Sequence, residues 1–321
     1  MKLITVRDAN PRDIEGIAAL FNSDPSYSDP WFNEPVRINT RLENLRREGW
    51  NIAQLVAVDE GSVIGFIAAE QYYLTDQNHP NGRVAEVKKV FVKPSHRGHG
   101  ISSRLLGAVE AAISSEGYDF AVATAVCGHP HSQELFLGKG YMATGFAPNF
   151  INTELTHTSP RESSVYVAKA ISEGGKASLQ SRRTIYVPSE AIGVLCDAYV
   201  AAGLFHLREI VVDTIQQSSN ADREWVNARL TAQSGGNAAM QPILPHETLD
   251  IAKMEHVSRV KAAFEAGYIP VGILPIGTDR IIMMYVPRGL MFDASKVQIA
   301  PKAKQLADTV GNLYNTCAAR V

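Results

Sequence analysis

One stretch constrains this chain more than any other: residues 85–103 read AEVKKVFVKPSHRGHGISS. The β-branched residues from Val84 to Val92 predict a strand over 84–92, stopped by Lys93-Pro94-Ser95. A basic turn with two glycines follows, His96-Arg97-Gly98-His99-Gly100, and leads straight into a helix expected to run to about Glu116. Ile101, Leu105, Val109 and Ile113 fall four apart, which gives that helix one buried face. Ser102 or Ser103 is the expected cap. A strand entering a helix through such a turn makes an anion site. Glycines let the backbone come close in unusual angles, and the first amides of a helix face outward unsatisfied at its positive end. Arg97, with Lys93 and Arg104 nearby, would add phosphate contacts. A pyrophosphate is the natural occupant.

The elements around this stretch alternate. A strand is expected over 3–6, a helix over 13–21 with Ile14, Ile17 and Leu20 on one face, and a weaker helix over 41–48. Apolar runs over 52–58 and 63–73 join across Asp59-Glu60-Gly61-Ser62 as a hairpin. The continuous apolar run 120–126 predicts a strand buried on both faces. A short helix over 133–139 and strands over 141–146 and 164–168 follow. The small, glycine-rich run 172–182 reads as a linker. Beyond it the pattern predicts strands over 184–187, 206–213, 225–231, 240–244, 268–273 and 280–285. Helices are expected over 189–202 and 247–266, with a last one from about Lys302.

The two halves share an echo. Gly140-Tyr141, Gly145 and Pro148 repeat as Gly267-Tyr268, Gly272 and Pro275, each after an amphipathic helix. Each set leads to a Tyr-Val pair, Tyr166-Val167 or Tyr285-Val286. Chance recurrence of a helix-turn-strand unit is one explanation. Agreement in order and flanking elements favours a duplicated fold. The expected domains are therefore 1–171 and 183–321, and 321 residues suit two domains.

Composition limits the function. Basic and acidic residues number 31 and 33, a balance that argues against nucleic acid or an anionic membrane as partner. No run approaches a membrane-spanning helix, and the start MKLITVRDAN lacks the apolar region of a secretory signal. Three scattered cysteines suit a reducing cytoplasm. A soluble cytoplasmic protein is expected.

Three readings compete for the glycine turn. A nucleoside-triphosphate loop needs lysine and then Ser or Thr after its last glycine, but Ile101 follows Gly100. A dinucleotide fingerprint nearly fits Gly98-x-Gly100-x-x-Ser103 and leaves an NAD-linked oxidoreductase as a remote alternative. Residues 93–97 separate strand from glycine there, however, and Asp119 begins a strand where the ribose ligand should end one. In the third reading, Arg97-Gly98-His99-Gly100-Ile101-Ser102 resembles the Q/R-x-x-G-x-G/A pyrophosphate loop of the GNAT superfamily of N-acetyltransferases. The preceding strand resembles that family's fourth, and HPHSQELFLGKGY resembles its N-x-x-A-x-x-x-Y-x-x-x-G-F helix. The likeness spans about residues 3–170, and the second half resembles a degenerate copy without the loop.

This resemblance implies an α/β (α+β) fold with a mixed, mostly antiparallel sheet flanked by helices. It implies acetyl-CoA as co-substrate and no metal, with direct transfer to an amine, most simply on a small molecule. Arg97, Gly98, His99, Gly100, Ile101, Ser102 and Ser103 would hold the pyrophosphate, and Val90 and Val92 would serve cofactor and oxyanion through their backbone. Glu86 matches a glutamate that in many relatives deprotonates the amine, and the strand period puts it on the face of Val90 and Val92. The plain alternative for Glu86 is a solvent-facing carboxylate beside Lys88. His129 stands at the family's asparagine, to bind cofactor or catalyse.

Phe136 stands at the position of the tyrosine that often protonates the leaving thiolate, and a phenyl ring cannot do so. That departure keeps open a non-catalytic acyl-CoA-binding regulator. Cys127, His129 and His131 also allow a zinc reading, which the helix motif makes unnecessary. The second domain would wall the acceptor cleft or form the face of a homodimer.

Overall fold

The structure, a computed structural model, describes residues 4–24, 32, 34–47, 49, 51–72, 83–152, 161–180, 184–201, 209–213, 218–224, 257–266, 268–276, 280–287 and 293–318. The chain divides into two compact units. One holds Met1–Ala123 and Lys169–Glu173, the other Thr124–Asn152, Arg161–Ala168 and Gly174–Val321.

The first unit is built on a mixed, mostly antiparallel sheet. Strands β1 (Thr5–Asp8), β2 (Asn51–Asp59), β3 (Ser62–Gln71), β4 (Val84–Val92) and β5 (Phe120–Val126) lie in that order, all antiparallel except β4 and β5. The expected hairpin turns at Glu60 (φ 48°) and Gly61 (φ 79°). Two successive left-handed residues give the turn whose twist matches its strands. Parallel β4 and β5 require a crossover, and helix α1 (Ile14–Phe21), helix α2 (Pro35–Arg47) and helix α3 (Ile101–Ser115) divide the work: α3 makes that connection. Its buried residues are Ile101, Leu105, Leu106, Val109 and Ile113. They pack over Gly65 of β3, where even a Cβ would lie 3.0 Å from Leu105.

The opposite sheet face is covered by a second core of Ile17, Phe21, Phe32, Ile38, Val56, Phe66, Ala68 and Phe91. Phe21 stands 5.0 Å from both Phe32 and Phe91, ring centre to ring centre. Helix α1 is preceded by a 3-10 turn, Pro11–Asp13, closed by a reciprocal cap between Asn10 and Asp13. Arg7 grips the same Asp13 with two hydrogen bonds of 2.7 Å. Helix α2 starts at Pro35, earlier than its apolar period suggested. Proline suits a first helical position, and Ile38 is the buried residue of that polar first turn.

In the second unit the end of β5 is followed by helix α4 (His131–Gly138), strand β6 (Met142–Asn152) and strand β7 (Arg161–Ala170), which reaches into the other unit at its end. Later come helix α5 (Glu173–Gln180), strand β8 (Thr184–Pro188), helix α6 (Ile192–Ala201) and strand β9 (Glu209–Asp213). Helix α7 (Val257–Glu265), strands β10 (Tyr268–Ile276) and β11 (Arg280–Pro287), and helix α8 (Pro301–Ala318) follow. Strands β7, β6, β10 and β11 are neighbours in that order, each pair antiparallel, while β8 and β9 pair in parallel.

The run 172–182, expected as a linker, instead carries helix α5. Gly175 and Ser178, three residues apart, are buried, so the small residues form its packing face. The expected strands over 225–231 and 240–244, and the start of the helix expected over 247–266, lie outside the described residues. Among the described residues no helix is long and apolar enough to cross a membrane.

Candidate functional site

The glycine turn is shaped by its two left-handed residues. After Val92 a 3-10 turn, Pro94–His96, reverses the chain, and Gly98 (φ 80°) and Gly100 (φ 73°) turn it into α3. Side chains rarely adopt these angles, which is why glycine stands at both. A Cβ at either would meet nothing within 4 Å, so the space above the turn is open.

The expected cap at Ser102 or Ser103 is displaced. Gly100 is the capping residue and Ile101 the first residue of the helix, so both serines lie inside the first turn. Glycine has no side chain with which to cap. The ladder of α3 begins with the Arg104 amide donating to the Gly100 carbonyl at 3.1 Å. The amides of Ile101, Ser102 and Ser103 therefore belong to the helix's unladdered first turn, at the positive end of its dipole.

The basic residues are more committed than their sequence suggested. Arg97 donates through Nε to the Val92 carbonyl at 3.1 Å and through Nη2 to Asp24 at 2.6 Å, and its guanidinium lies 5.6 Å over the Phe91 ring. It ties the turn to the end of β4 while remaining half-exposed. His99 Nδ1 bonds to the Arg97 carbonyl at 2.9 Å. Arg104, expected near a phosphate, instead donates to the Ile4 carbonyl at 2.6 Å.

Strand β4 is bulged. Between the pairs Ala68↔Lys88 and Phe66↔Phe91 it carries one residue more than β3, and Lys89 takes φ 57° there. The extra residue corrects the expected shared face. Partners across a ladder share a face, so Glu86 (opposite Glu70), Lys88 and Phe91 lie on one side. Val92 pairs with Gly65 and lies on the other. The period of two fails at a bulge, and the sequence carries no sign of it. The register of β4 with β5 covers Val84–Glu86, and β4 runs on to Val92 beyond the last of those pairs.

Glu86 is no solvent-facing carboxylate. Its side chain is 16% exposed, and Lys88 Nζ lies 2.9 Å from it and 3.2 Å from Glu70. Burial alone would push the Lys88 ammonium down. The charges of Glu86 and Glu70 more than reverse that and hold it above its ordinary value. Glu70, 5% exposed, is a member of this cluster that the sequence reading missed, because a charged residue inside an apolar strand run gave no separate signal.

In the second unit, His129 is exposed in the bend between β5 and α4, with its ring 5.3 Å from that of His131. Phe136 is buried and meets Tyr141 edge-on at 5.0 Å. Burial, with help from Glu162, pushes the Cys127 thiol far up and keeps it protonated, unfit as a nucleophile. Gln133, fully buried, donates to the carbonyls of Val126 (3.0 Å) and Gln298 (2.8 Å) and accepts from the Ala300 amide (2.8 Å). It is a structural clamp inside the family-like motif. Among the described residues no three His, Cys, Asp or Glu side chains come together to hold a metal ion.

Residues 16–141 match the family model described as Acetyltransferase (GNAT) family. No curated protein matches the chain. Among solved structures, an N-acetyltransferase from Staphylococcus aureus Mu50 is 18% identical with a TM-score of 0.44, the match covering 53% of this chain and 99% of that one. A ribosomal-protein-alanine N-acetyltransferase from Brucella melitensis is 21% identical with a TM-score of 0.43, covering 52% and 99%. A GNAT superfamily phosphinothricin acetyltransferase from Sinorhizobium meliloti, in complex with AcCoA, is 20% identical with a TM-score of 0.44, covering 53% and 90%.

Proposed function

We propose, from the match of residues 16–141 to the GNAT acetyltransferase family model, that the chain is an acyl-CoA-dependent N-acyltransferase that moves an acetyl group from acetyl-CoA to the amine of a small molecule. One observation carries the reading: two left-handed glycines, Gly98 and Gly100, open onto the uncapped first turn of α3 directly after a bulged strand.

The residues present fit the co-substrate. The amides of Ile101, Ser102 and Ser103 would receive its pyrophosphate, the open space over Gly98 and Gly100 would admit it, and His99 at the rim would help enclose it. Arg97 would hold the turn to Val92 and offer its half-exposed guanidinium to a phosphate. The thioester supplies an activated acyl carbon and a good leaving group. Backbone amides at the bulge, from Val90 to Val92, would stabilise the negative charge that develops on its oxygen. Glu86 would take the proton that the amine sheds as it forms its new bond, directly or through water. Lys88 would fix the position of Glu86. His129 would contact the co-substrate or supply a proton to the departing sulfur, since Phe136 cannot.

That buried phenyl ring favours a second reading, a non-catalytic acyl-CoA-binding regulator. The second half, as a diverged copy of the first, remains part of the proposal, as do a homodimer and a cytoplasmic setting. The test is a thermal-stability measurement followed by an acyl-transfer assay. Acetyl-CoA at 100 times its dissociation constant should stabilise the protein by about 2.7 kcal/mol, and NAD should not. Thiol release with an amine panel then marks an enzyme. Binding without release across the panel marks the regulator.

A further inference from the structure

The arginine of the glycine turn is fixed by a residue far from it in the chain. A guanidinium carries five N–H groups in one plane. Arg97 uses its Nε–H on the Val92 carbonyl at 3.1 Å and one N–H of Nη2 on Asp24 at 2.6 Å, and its central carbon lies 5.6 Å over the Phe91 ring. The Nε bond alone would let the plane turn about the N–H···O line. The Asp24 bond comes from another element, 73 positions earlier, and stops that rotation. Three N–H groups remain, both of Nη1 and one of Nη2, which the described residues do not engage. They suffice for two oxygens of one phosphate.

Asp24 is held in its turn by the end of α1. The Asn22 amide donates to the Ala18 carbonyl at 3.0 Å, and Ser23 donates to the Leu20 carbonyl through its amide (3.1 Å) and its hydroxyl (2.6 Å). Phe21, the last residue of the helix, stands 5.0 Å from Phe91, ring centre to ring centre. Phe91 thus meets both the end of α1 and Arg97, and Asp24 follows Phe21 by three residues.

A carboxylate in this place has two roles open to it: to compete with the phosphates for Arg97, or to aim Arg97 at them. Exposure decides between the two. The Asp24 side chain is 13% exposed and the Arg97 side chain 49%. A phosphate that drew Arg97 away would strip a nearly buried carboxylate of this counter-charge, which is unfavourable. A phosphate that takes the remaining N–H groups leaves the pair intact. It also meets a guanidinium whose freedom was given up on folding, so little is lost on binding.

We propose that Asp24 is a positioning residue for the co-substrate: it aims Arg97 so that the N–H groups of Nη1 and Nη2 receive a phosphate of acetyl-CoA. This rests on the acyltransferase reading and adds to it a residue outside the glycine turn. The Arg97–Asp24 pair stays closed when the co-substrate is bound.

A double-mutant cycle tests it. Coenzyme A is titrated by calorimetry into the full chain and into Asp24→Ala, Arg97→Ala and the double variant. Asp24→Ala should weaken binding about tenfold, and Arg97→Ala should weaken it at least as much. The double variant should bind as Arg97→Ala does, because Asp24 acts through Arg97. Asp24→Glu, which keeps the carboxylate, should recover most of the affinity. Unchanged binding by Asp24→Ala would overturn the proposal, and tighter binding would do so by marking Asp24 as a competitor. A loss that persists in full when Arg97 is already alanine would overturn it too, since damage to the end of α1 gives that result. If circular dichroism shows Asp24→Ala unfolded, Asp24→Asn takes its place in the same cycle, with a loss of about threefold expected. Failure of the parent chain to bind coenzyme A overturns the acyltransferase reading instead.

Discussion

Gly272 of β10 lies directly opposite Gly145 of β6, and these are the same position of the repeated Gly-Tyr-x-x-x-Gly pattern. A Cβ on Gly272 would collide with the Thr144 carbonyl and with the Gly145 Cα. The flanking strands differ in register, for Gly272 pairs with Met284 of β11. Tyr166 of β7 pairs with Gly145, and Tyr285 of β11 pairs with Pro270, close to Gly272. The two hairpins meet through their inner strands in the order β7, β6, β10, β11.

Because Gly272 abuts backbone, no rotation of a neighbour can relieve an added methyl group. Gly272→Ala should destabilise the protein by about 1–3 kcal/mol, read as a lower urea midpoint. Gly107 has nothing within 4 Å of a Cβ and sits inside α3, so Gly107→Ala should be neutral or stabilising by up to about 1 kcal/mol. Equal effects would remove the close approach as the reason for glycine at 272.

Gly100 should separate folding from binding. At φ 73° a side chain is strained, so Gly100→Val should cost about 1–2 kcal/mol and leave the protein folded. It should also abolish stabilisation by acetyl-CoA, because the new side chain enters the open space over the first turn of α3. Circular dichroism and a ligand-dependent melting curve read the two effects separately.

Glu86→Gln removes the proposed base and keeps its shape. Turnover should fall by about 10²–10⁴-fold with acetyl-CoA affinity unchanged. Equal loss of both would show that the residue serves the fold through Lys88 and has no part in proton transfer.

The Lys88 ammonium sits between two carboxylates, so Lys88→Met removes a counter-charge from both. A loss of about 2–4 kcal/mol is expected, and Lys88→Arg should recover part of it. The measurement is equilibrium unfolding in urea.

The Arg7–Asp13 pair makes a prediction about pH. Hydrogen bonds from Arg7 hold the Asp13 carboxyl below its usual range despite its burial. A depressed carboxylate contributes its full stability above the unfolded value, near 4, and loses it as pH falls through the lower folded value. Asp13→Asn should therefore cost about 1–2 kcal/mol at neutral pH, and the gap to the parent protein should close below pH ~4. A gap constant down to acid would locate the effect in the cap and not in the charge.

Much of the first unit was legible because its signals are local. The hairpin at Glu60-Gly61 needs two left-handed residues, and the four-residue spacing from Ile101 to Ile113 needs one apolar floor. What stayed hidden depends on other strands. The bulge at Lys89 is set by the register of β4 against β3, so the facing of Val92 could not be counted from its own strand. Glu70 gave no signal inside its apolar run, because its meaning depends on Glu86 opposite it on β4. Arg97 and Arg104 looked free because their partners, Asp24 and the Ile4 carbonyl, lie 73 and 100 positions away. Glycine misled in the other direction at 172–182, where Gly175 serves as a packing surface of a helix.

The pairing of β6 on both its edges has a practical outcome for anyone who trims the gene. A fragment stopping after residue 171 keeps β7 along one side of β6 and strips β10 from the other. The bared hydrogen-bonding groups would then recruit the same edge of a sister fragment, and the trimmed protein should elute as a dimer or precipitate.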